Sequence, residues 1–522
     1  MHWIDAPQAK RLARLVEEST RSTQESIKYF LEPAPGVLER AKSRRHHVVF
    51  GRRGSGKSSL LWKVTADLTI DRTPIAYVDM EEFKGHSYPD VLVSVLIKTL
   101  TEFRRWLETA AINPATKTTW WQKLFGAKPT KSAYNKAATR ELSAKFENMI
   151  GELNDLLLST DEQRKADTVK TEAGTEVKAS AQAGLKSSAA NISSEVGASA
   201  RRAHSLERRS EYVSLKIEAL HRNLMRYKTL FEDLNRLSGG SAYLLLDDLY
   251  HIRRSDQPEV IDYFHRIAKG CSLWLKVGTI RHRTTWYIYG DPPRGMKLGD
   301  DGDEIDLDVT LEKYELTKRF LMQILGRFAA ECDLRIDDML TDGAKDRLVL
   351  ASGGVARDFL TIFRRTLDVV AERIASGDLF RGEKIGAEDV NKAAGEFDKF
   401  KREDFTRDTG SDDRDRLMSG FGEISNFCIS KSKANCFLIE KDLTNDLLPN
   451  VEELVDLKFL HLVKSRVTVR DRVGRLYDAF MLDVSQYTGE RARQGFELIR
   501  FWGKGADDAL RKTKLILAER NT

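Results

Sequence analysis

The pattern of apolar and polar residues changes several times along this chain of 522 residues. Short runs rich in apolar and β-prone residues occur at 46–50, 74–78, 243–246 and 273–278, and polar or glycine-rich segments bound each of them. Runs of this kind are typical of strands buried in a parallel sheet. Apolar residues at helical spacing follow the second run, at 88–107. The alternation predicts an α/β core of parallel strands and helices.

A glycine-rich loop follows the first run and leads into an apolar helical start at 60–62. The loop matches the P-loop pattern G-x-x-x-x-G-K-[ST], a match that its strand–loop–helix context supports against a chance glycine turn. Its glycines let backbone amides turn toward phosphate oxygens, and the helix start adds partial positive charge. Lys57 is expected to reach the β- and γ-phosphates, and Ser58 to bind Mg²⁺. The expected phosphate-binding residues are Gly51, Gly54, Ser55, Gly56, Lys57, Ser58 and Ser59.

Two carboxylates end the third run, at Asp247 and Asp248. Ligands of open α/β sheets bind outside the carboxyl ends of the strands. Asp247 is therefore expected to orient the Mg²⁺ shell, and Asp248 to polarise the attacking water. Active ATPases usually carry Glu at the second position, and the shorter Asp favours slow hydrolysis. The alternative is a solvated Asp-Asp turn.

Arginines near the ends of later elements are candidates for contact with a phosphate. Arg281, and after it Thr279, follow the fourth run and are candidates for the γ-phosphate. Arg357 lies in the first turn of a helix predicted to run to residue 370, so it is placed to project back toward a phosphate. For each, a surface arginine is the alternative. Candidates for reaching a neighbouring subunit's nucleotide are Arg283, Arg253 and Arg254.

Two further segments flank or interrupt this core. Residues 1–45 are predicted to form a helical arm that either covers an adenine or only packs. Residues 108–236 interrupt the α/β pattern with an aromatic cluster at 120–125 and helical stretches at 137–158 and 206–237. Between these stretches the chain is poor in aromatics and predicts a mobile segment or weak amphipathic helix. The insertion is expected to be a coiled-coil-like arm of two long helices, or else a disordered linker between helices.

The C-terminal half is predicted to hold three units after a last core strand at 305–309. A helical lid covers 311–405, a charged linker follows at 406–416, and a winged helix covers 417–490, with a helix at 451–459 and strands at 460–469 and 477–484. A basic helical tail is expected at 491–522. Basic residues on the helix and wing suit phosphate contacts, or else a protein or domain interface. They are Lys458, Lys464, Arg466, Arg470, Arg472 and Arg475.

The composition says more about where the protein works than about what it does. The excess of 85 basic over 79 acidic residues gives a net charge of +6, too small to imply nucleic-acid binding by itself. Four scattered cysteines without a C-x-x-C pair argue against a zinc site or a disulfide framework. An apolar signal core and a run of about 18 apolar residues are both absent from the sequence. A cytoplasmic protein without a membrane span is expected.

Taken in order, four motifs resemble those of AAA+ ATPases. GRRGSGKSS resembles Walker A, LLLDD Walker B, the end of KVGTIR sensor 1, and SGGVARDFL the lid with sensor 2. The winged helix after the lid resembles the origin-recognition initiator branch, whereas the Asp-Asp pair and the Thr-Ile-Arg segment resemble STAND signalling ATPases. The likeness covers about 35–105 and 240–490. The chain departs from the family pattern in lacking Glu after Asp247 and Asn at sensor 1, and in its long insertion.

The resemblance implies an α/β fold with an AAA+-like P-loop core over 46–310, a helical lid, the helical insertion and a C-terminal winged helix. It implies ATP and Mg²⁺ as cofactors, with Ser58 and Asp247 holding the metal and with Lys57, Asp247, Asp248, Arg281 and Arg357 acting in hydrolysis. One implied function is a homo-oligomeric ATPase switch that binds duplex DNA through Arg470, Arg472 and Arg475. The other is a STAND-like scaffold, in bacterial antiviral defence, that activates a separate effector protein.

Overall fold

The computed structural model describes most of the chain. The described residues are 2–20, 25–110, 134–181, 190–378, 382–408, 411–441, 443, 447–488, 496–503 and 505–519. The aromatic cluster expected at 120–125 lies outside them.

A five-stranded parallel sheet forms the core. Its strand order is β2-β3-β4-β1-β7, so the strand before the P-loop lies inside the sheet. The pairs Asp79–Asp247 and Phe50–Thr279 place the carboxyl ends of four strands at one edge. The strands of the sheet are β1 His47–Phe50, β2 Ile75–Asp79, β3 Ala242–Asp247, β4 Leu273–Thr279 and β7 Asp303–Asp306. A separate short hairpin is formed by β5 Tyr287–Ile288 and β6 Arg294–Gly295.

The apolar runs predicted β1 to β4 correctly, but the last core strand is shifted. It was expected at 305–309 and instead spans Asp303–Asp306, where Asp306 pairs with Phe50, the final residue of β1. Beyond that pair the P-loop turns away from the sheet. Asp308 then accepts a hydrogen bond from the backbone amide of Arg52 at 2.9 Å, so the chain leaves the sheet to support the loop.

Helices cover the sheet, and the insertion is anchored among them. The P-loop helix is Lys57–Ile70, and Asp90–Ala110 and Gln257–Ala268 are the other core helices. The insertion consists of the long helices Lys136–Ala181 and Ala190–Ser238. Their inner ends are packed into the core, where the buried rings of Phe103, Phe146 and Phe231 lie with centroids 5.3 to 6.5 Å apart. The two-helix arrangement was predicted; residues 182–189 lie outside the described part.

Among the described residues, five helices follow the core and form the lid. They are Tyr314–Glu331, Ile336–Met339, Asp342–Ser352, Ala356–Ala375 and Ala387–Asp408. The N-terminal helix Pro7–Glu18 packs on this lid, with Leu12 and Val16 fully buried in the shared apolar cluster. The N-terminal segment thus belongs structurally with the lid.

The C-terminal unit has more sheet than the sequence predicted. Its helices Ser411–Asn426 and Leu447–Asp456 lie with a four-stranded sheet of order β11-β8-β10-β9, which includes the expected wing strands. The wing itself is the turn 471–474 between β9 and β10. The strands are β8 Cys436–Glu440, β9 Leu460–Val467, β10 Tyr477–Leu482 and β11 Ile516–Ala518.

Two expectations for this unit are wrong. The charged linker at 406–416 is helical up to Asp408 and again from Ser411. The basic helical tail is, where described, a short helix Ala506–Leu510 followed by β11, which pairs with β8 in parallel. Apolar burial explains the second difference, because Leu510 and Leu515 are fully buried against the sheet despite their charged neighbours.

Candidate functional site

The P-loop encloses its own lysine. Gly54 and Gly56 have φ values of 92° and 101°, which L-residues with side chains rarely adopt. Lys57 is only 4% exposed, and its Nζ donates to the carbonyl oxygens of Gly51 at 2.9 Å and Arg52 at 3.3 Å. Burial lowers the pKa of Lys57, an effect that Asp248 and Asp247 oppose. The ammonium group is therefore held by carbonyl oxygens that phosphate oxygens can replace as acceptors.

Asp247 lies buried beneath the loop and accepts several hydrogen bonds. The Tyr77 hydroxyl donates to its Oδ2 at 2.5 Å, and the amide of Asp248 donates to its Oδ1 at 2.9 Å. Burial and the neighbouring Asp248 raise the pKa of Asp247 to about 7, against hydrogen bonds from Tyr77 and Ser58 that lower it. A Cβ at Gly278 would lie 2.7 Å from Asp247 Oδ1, so a glycine is needed there.

Asp248 lines a cavity, and Asp247 lies buried beneath it. The φ of Asp248, 54°, is left-handed, a conformation that costs a non-glycine residue about 1 kcal/mol or more. The backbone thus reverses direction directly after β3 and gives the two carboxylates different surroundings. Asp248 lines the cavity together with Lys57 and Ser58.

This cavity, of about 690 Å³, joins three parts of the molecule. Its polar end is formed by residues 53–59 of the P-loop together with Asp248. Its other end is apolar, with side chains from the N-terminal segment and from the lid helix Tyr314–Glu331. Those side chains are Tyr29, Phe30, Leu31, Phe320, Ile324 and Phe328. A polar end for phosphates and an apolar end for a base are what a nucleotide requires.

Arg357 connects the lid to the P-loop. Its backbone amide donates to the Gly54 carbonyl at 3.2 Å, and its Nε donates to the Thr20 carbonyl at 3.1 Å. A Cβ at Gly54 would lie 2.7 Å from the Cβ of Arg357, so the two backbones approach closely. The side chain lines the cavity, where the sequence placed it.

Arg281 and Thr279 are placed differently from the sequence expectation. Both end nitrogens of Arg281 donate to Glu304 at 3.1 Å, and its guanidinium lies 4.0 Å from the Phe50 ring centroid. Thr279 is fully buried, and its hydroxyl shares a hydrogen bond with Thr284. Neither residue lines the cavity. The reason is the turn after β4, which directs Arg281 toward the acidic edge strand β7.

Of the three arginines suggested for a neighbouring subunit's nucleotide, Arg283 lies beside the cavity. Arg283 places its guanidinium 5.2 Å from the centroid of the Tyr250 ring, and Tyr250 itself lines the cavity. Arg253 and Arg254 are exposed.

Two contributors to the site were missed. Tyr77 holds Asp247, and Arg52, only 4% exposed, donates to Asp308 and, at 3.1 Å, to the carbonyl of Gly353 in the lid. Tyr77 lies two residues before Asp79 in the strand next to β3, so strand adjacency was the available signal. Arg52 occupies a variable position of the motif, and nothing in the pattern singles it out.

The oxygen atoms of Ser58 and Asp247 are suited to bind Mg²⁺. Ser58 hydrogen-bonds Asp247, and hydroxyl and carboxylate oxygens are ligands that Mg²⁺ prefers, with phosphates and water completing its shell. Within the described ranges, no group of three or more His, Cys, Asp or Glu residues could hold a metal alone. The protein's share of a Mg²⁺ site would be Ser58 and Asp247.

The basic residues of the winged helix are mostly paired. The side chain of Lys458 is 15% exposed, and its Nζ donates to both carboxylate oxygens of the buried Asp358 in the lid at 2.9 and 3.0 Å. Arg475 lies 3.4 Å from Glu440, and Arg472 lies 2.9 Å from Glu519. Arg470 is 79% exposed and lies 3.5 Å from Asp508. Lys458 thus forms a domain interface, the alternative that the sequence left open.

No protein-family model matches the chain, and no curated protein matches it. Similar solved structures include the ORC1 protein of Aeropyrum pernix in complex with DNA (13% identity, 98% of this chain, 93% of that chain, TM-score 0.33). A Walker-type ATPase of Pyrococcus abyssi (11%, 86%, 92%, TM-score 0.39) and Cdc6p of Pyrobaculum aerophilum (11%, 85%, 87%, TM-score 0.30) are others. Among the described helices, none has the length and apolarity to cross a membrane.

Proposed function

We propose that this protein is an AAA+-type molecular switch that binds Mg²⁺–ATP and hydrolyses it slowly. The observation that carries the proposal is the convergence of Lys57, Ser58, Asp248 and the lid residue Arg357 on one cavity, with Asp247 buried beneath it. We also propose that the chain is divided into an N-terminal arm, a core interrupted by the insertion, a lid and a winged helix.

Each residue of the site has a distinct role in this proposal. Lys57 exchanges its loop carbonyls for phosphate oxygens, and the amides of residues 51–59 surround the same phosphates. Ser58 and Asp247 hold the metal, which would neutralise phosphate charge. Asp248 orients a water, and its short side chain makes that step slow. Arg357, a residue of the lid, contacts a phosphate and so connects the bound nucleotide to the lid.

A Lys57→Ala variant tests the proposal. We expect its affinity for ATP to fall at least about tenfold and its turnover to vanish, because the charge that meets the phosphates is lost. Lys63→Ala is the matched control, since Lys63 lies on the same helix but pairs with Asp67 at 2.7 Å. Isothermal titration and phosphate release are the measurements. Equal ATP affinity and turnover in wild type and Lys57→Ala would refute the assignment.

In this proposal, ATP binding leads to homo-oligomerisation and to DNA binding. The wing is the exposed part of the winged helix, with Val473 94% exposed beside Arg470. An ATP-dependent scaffold that activates an effector protein is the second candidate, and the observation favouring it is the pairing of the wing arginines with acids. A salt titration of duplex binding separates the two, because strong binding that is lost steeply as the salt concentration rises favours the DNA-binding switch.

A further inference from the structure

A second cavity lies beside the nucleotide cavity and serves no role in the proposed ATPase. It has a volume of about 550 Å³ and lies between the core, the lid and the winged helix. The core contributes Tyr250 and Ile252, the lid Arg365 and Phe400, and the winged helix Leu457. Ligand pockets of proteins commonly have this size and this position between domains.

The cavity has an excess of positive charge. Of its twenty lining residues seven are Arg or Lys, and three are acidic. The acids already have cationic or imidazole neighbours: Asp358 pairs with Lys458, Glu453 with Arg416, and Asp456 lies 3.4 Å from His282.

Two of the arginines at this cavity differ from those of the wing. Within the part of the chain that the structure describes, neither Arg254 nor Arg365 has a carboxylate within 4 Å, and Arg254 donates a hydrogen bond to the Thr285 hydroxyl. Arginine without a carboxylate partner in a concave site is suited to phosphate, which it binds through a planar fork.

The lid side of the cavity is aromatic. Phe397, Phe400 and Phe405 line it, and Phe400 is 44% exposed, which is unusual for a large apolar side chain. The Arg365 guanidinium lies 4.2 Å from the centroid of the Phe400 ring. A phenyl ring and a guanidinium plane in contact form a surface on which nucleobases stack.

We propose that this cavity binds a second, free nucleotide, with its base against the Phe400–Arg365 surface and its phosphate toward the arginines. The cavity shares Arg53, Tyr250 and Arg357 with the first one, so a ligand here touches residues that also line the ATP site. Because it also contacts the lid and the winged helix, the second nucleotide would change the affinity for ATP, and ATP would change its affinity by the same factor.

Direct binding tests the proposal. The probes are radiolabelled AMP, which lacks the β- and γ-phosphates that Lys57 would hold, and cyclic di-AMP, a dinucleotide. Each is titrated by equilibrium dialysis into full-length protein saturated with Mg²⁺ and a slowly hydrolysed ATP analogue. We expect one additional equivalent of one probe to bind. Saturable binding of neither probe would overturn the proposal.

Variants locate the binding. Arg365→Ala and, independently, Phe400→Ala should each weaken the probe at least about tenfold while the ATP analogue still binds. The matched control is Arg364→Ala, because Arg364 is adjacent on the same helix but pairs with Asp368. Equal loss in Arg364→Ala and Arg365→Ala would overturn the proposal, as would binding of a short single-stranded oligonucleotide in place of both probes. Occupancy of the ATP analogue is measured separately, so failure of this site and failure of the ATP site are distinguishable.

Discussion

Asp247 and Asp248 are consecutive and chemically identical, yet the backbone gives them different surroundings. Asp247 ends β3 and is 2% exposed, whereas Asp248 adopts a left-handed φ and faces the cavity. The first is held by Tyr77 and by a backbone amide, which fixes its direction. At the residue scale, one backbone reversal therefore gives the two carboxylates different positions in the site.

Asparagine substitutions should separate the two roles. We expect Asp247→Asn to lose Mg²⁺-dependent turnover, since a neutral amide is a poor ligand for Mg²⁺. Asp248→Asn should keep ATP binding, lose about 10²- to 10⁴-fold in turnover and trap the assembled state, because a group that acts on water is needed for chemistry more than for binding. Nucleotide binding and phosphate release are measured on both. Unchanged hydrolysis in Asp248→Asn would show that another residue positions the water.

Asp456 predicts a dependence of stability on pH. Burial raises its pKa to about 6, with Asp308 adding to the rise and with His282 and Arg52 opposing it. A raised pKa means that the folded state holds the proton more tightly, so its stabilising contribution is complete below about pH 4 and is lost as the pH rises through about 6. Asp456→Asn should remove this loss, which is on the order of 2–3 kcal/mol.

The measurement is the thermal midpoint at pH 5 and pH 8. Relative to wild type, Asp456→Asn should be more stable at pH 8 than at pH 5. The control is Asp338→Asn, because Asp338 is 69% exposed. If wild type and Asp456→Asn show the same change between the two pH values, Asp456 keeps an ordinary pKa and the prediction fails.

At the scale of elements, the lid is joined to its neighbours by close contacts at glycines. A Cβ at Gly353 would lie 2.1 Å from the His461 ring of the winged helix, and one at Gly354 would lie 2.2 Å from the Val309 carbonyl. Behind this contact, Asp483 accepts hydrogen bonds from Lys401 at 2.7 Å and His461 at 2.9 Å. A movement of the lid would therefore carry the winged helix with it.

A double-mutant cycle on Lys458 and Asp358 tests this junction. Lys458→Met leaves the buried Asp358 carboxylate without its partner and should cost about 3–5 kcal/mol. Asp358→Ala should cost less, because the Lys458 side chain is 15% exposed and can reach water. The double variant should cost less than the sum of the two, because no lone charge remains. Chemical denaturation of the three variants measures the coupling. Additive losses would mean that the pair does not join lid and winged helix.

The sequence predicted those elements whose structure follows from a local pattern of residues. Buried parallel strands are continuous apolar runs, so β1 to β4 and the P-loop between β1 and its helix could be found. Elements that depend on distant partners could not. β11 is three residues long and becomes a strand only because β8 offers an edge to it. Lys458 looked like a surface cation because its partner Asp358 is one hundred positions earlier.

The same limit applied to the site. Arg357 was found because a helix start fixes the direction of its first turn. Arg281 was misplaced because its partners, Glu304 and Asp306, lie on a strand whose position was itself predicted two residues too late. Local rules therefore predicted the P-loop, whereas residues around it required the three-dimensional order of the strands.

At the scale of the whole molecule, the proposed switch needs parts that the lid could move on binding ATP. The insertion helices are anchored in the core and the winged helix is anchored on the lid, so nucleotide-driven closure would move these two parts relative to each other. DNA binding through the wing would turn that motion into a change of grip on a duplex. An effector-binding scaffold would use the same motion with a protein partner.

The wing arginines can separate these outputs because their ion pairs differ. Arg470 and Arg472 pair near the surface, whereas Arg475 is 20% exposed beside Glu440, which is itself buried. If the wing binds duplex DNA, replacing Arg470 and Arg472 with Ala should flatten the slope of log affinity against log salt by about two units, since each phosphate contact contributes about 0.9. Arg475→Ala is the contrast: it should lower the thermal midpoint and leave the slope nearly unchanged. ATP turnover without DNA should stay near wild type in the double variant, because the wing lies outside the nucleotide cavity. A double variant with wild-type affinity and slope would exclude this surface as a DNA contact, and the effector scaffold would then become the better account of what the lid moves.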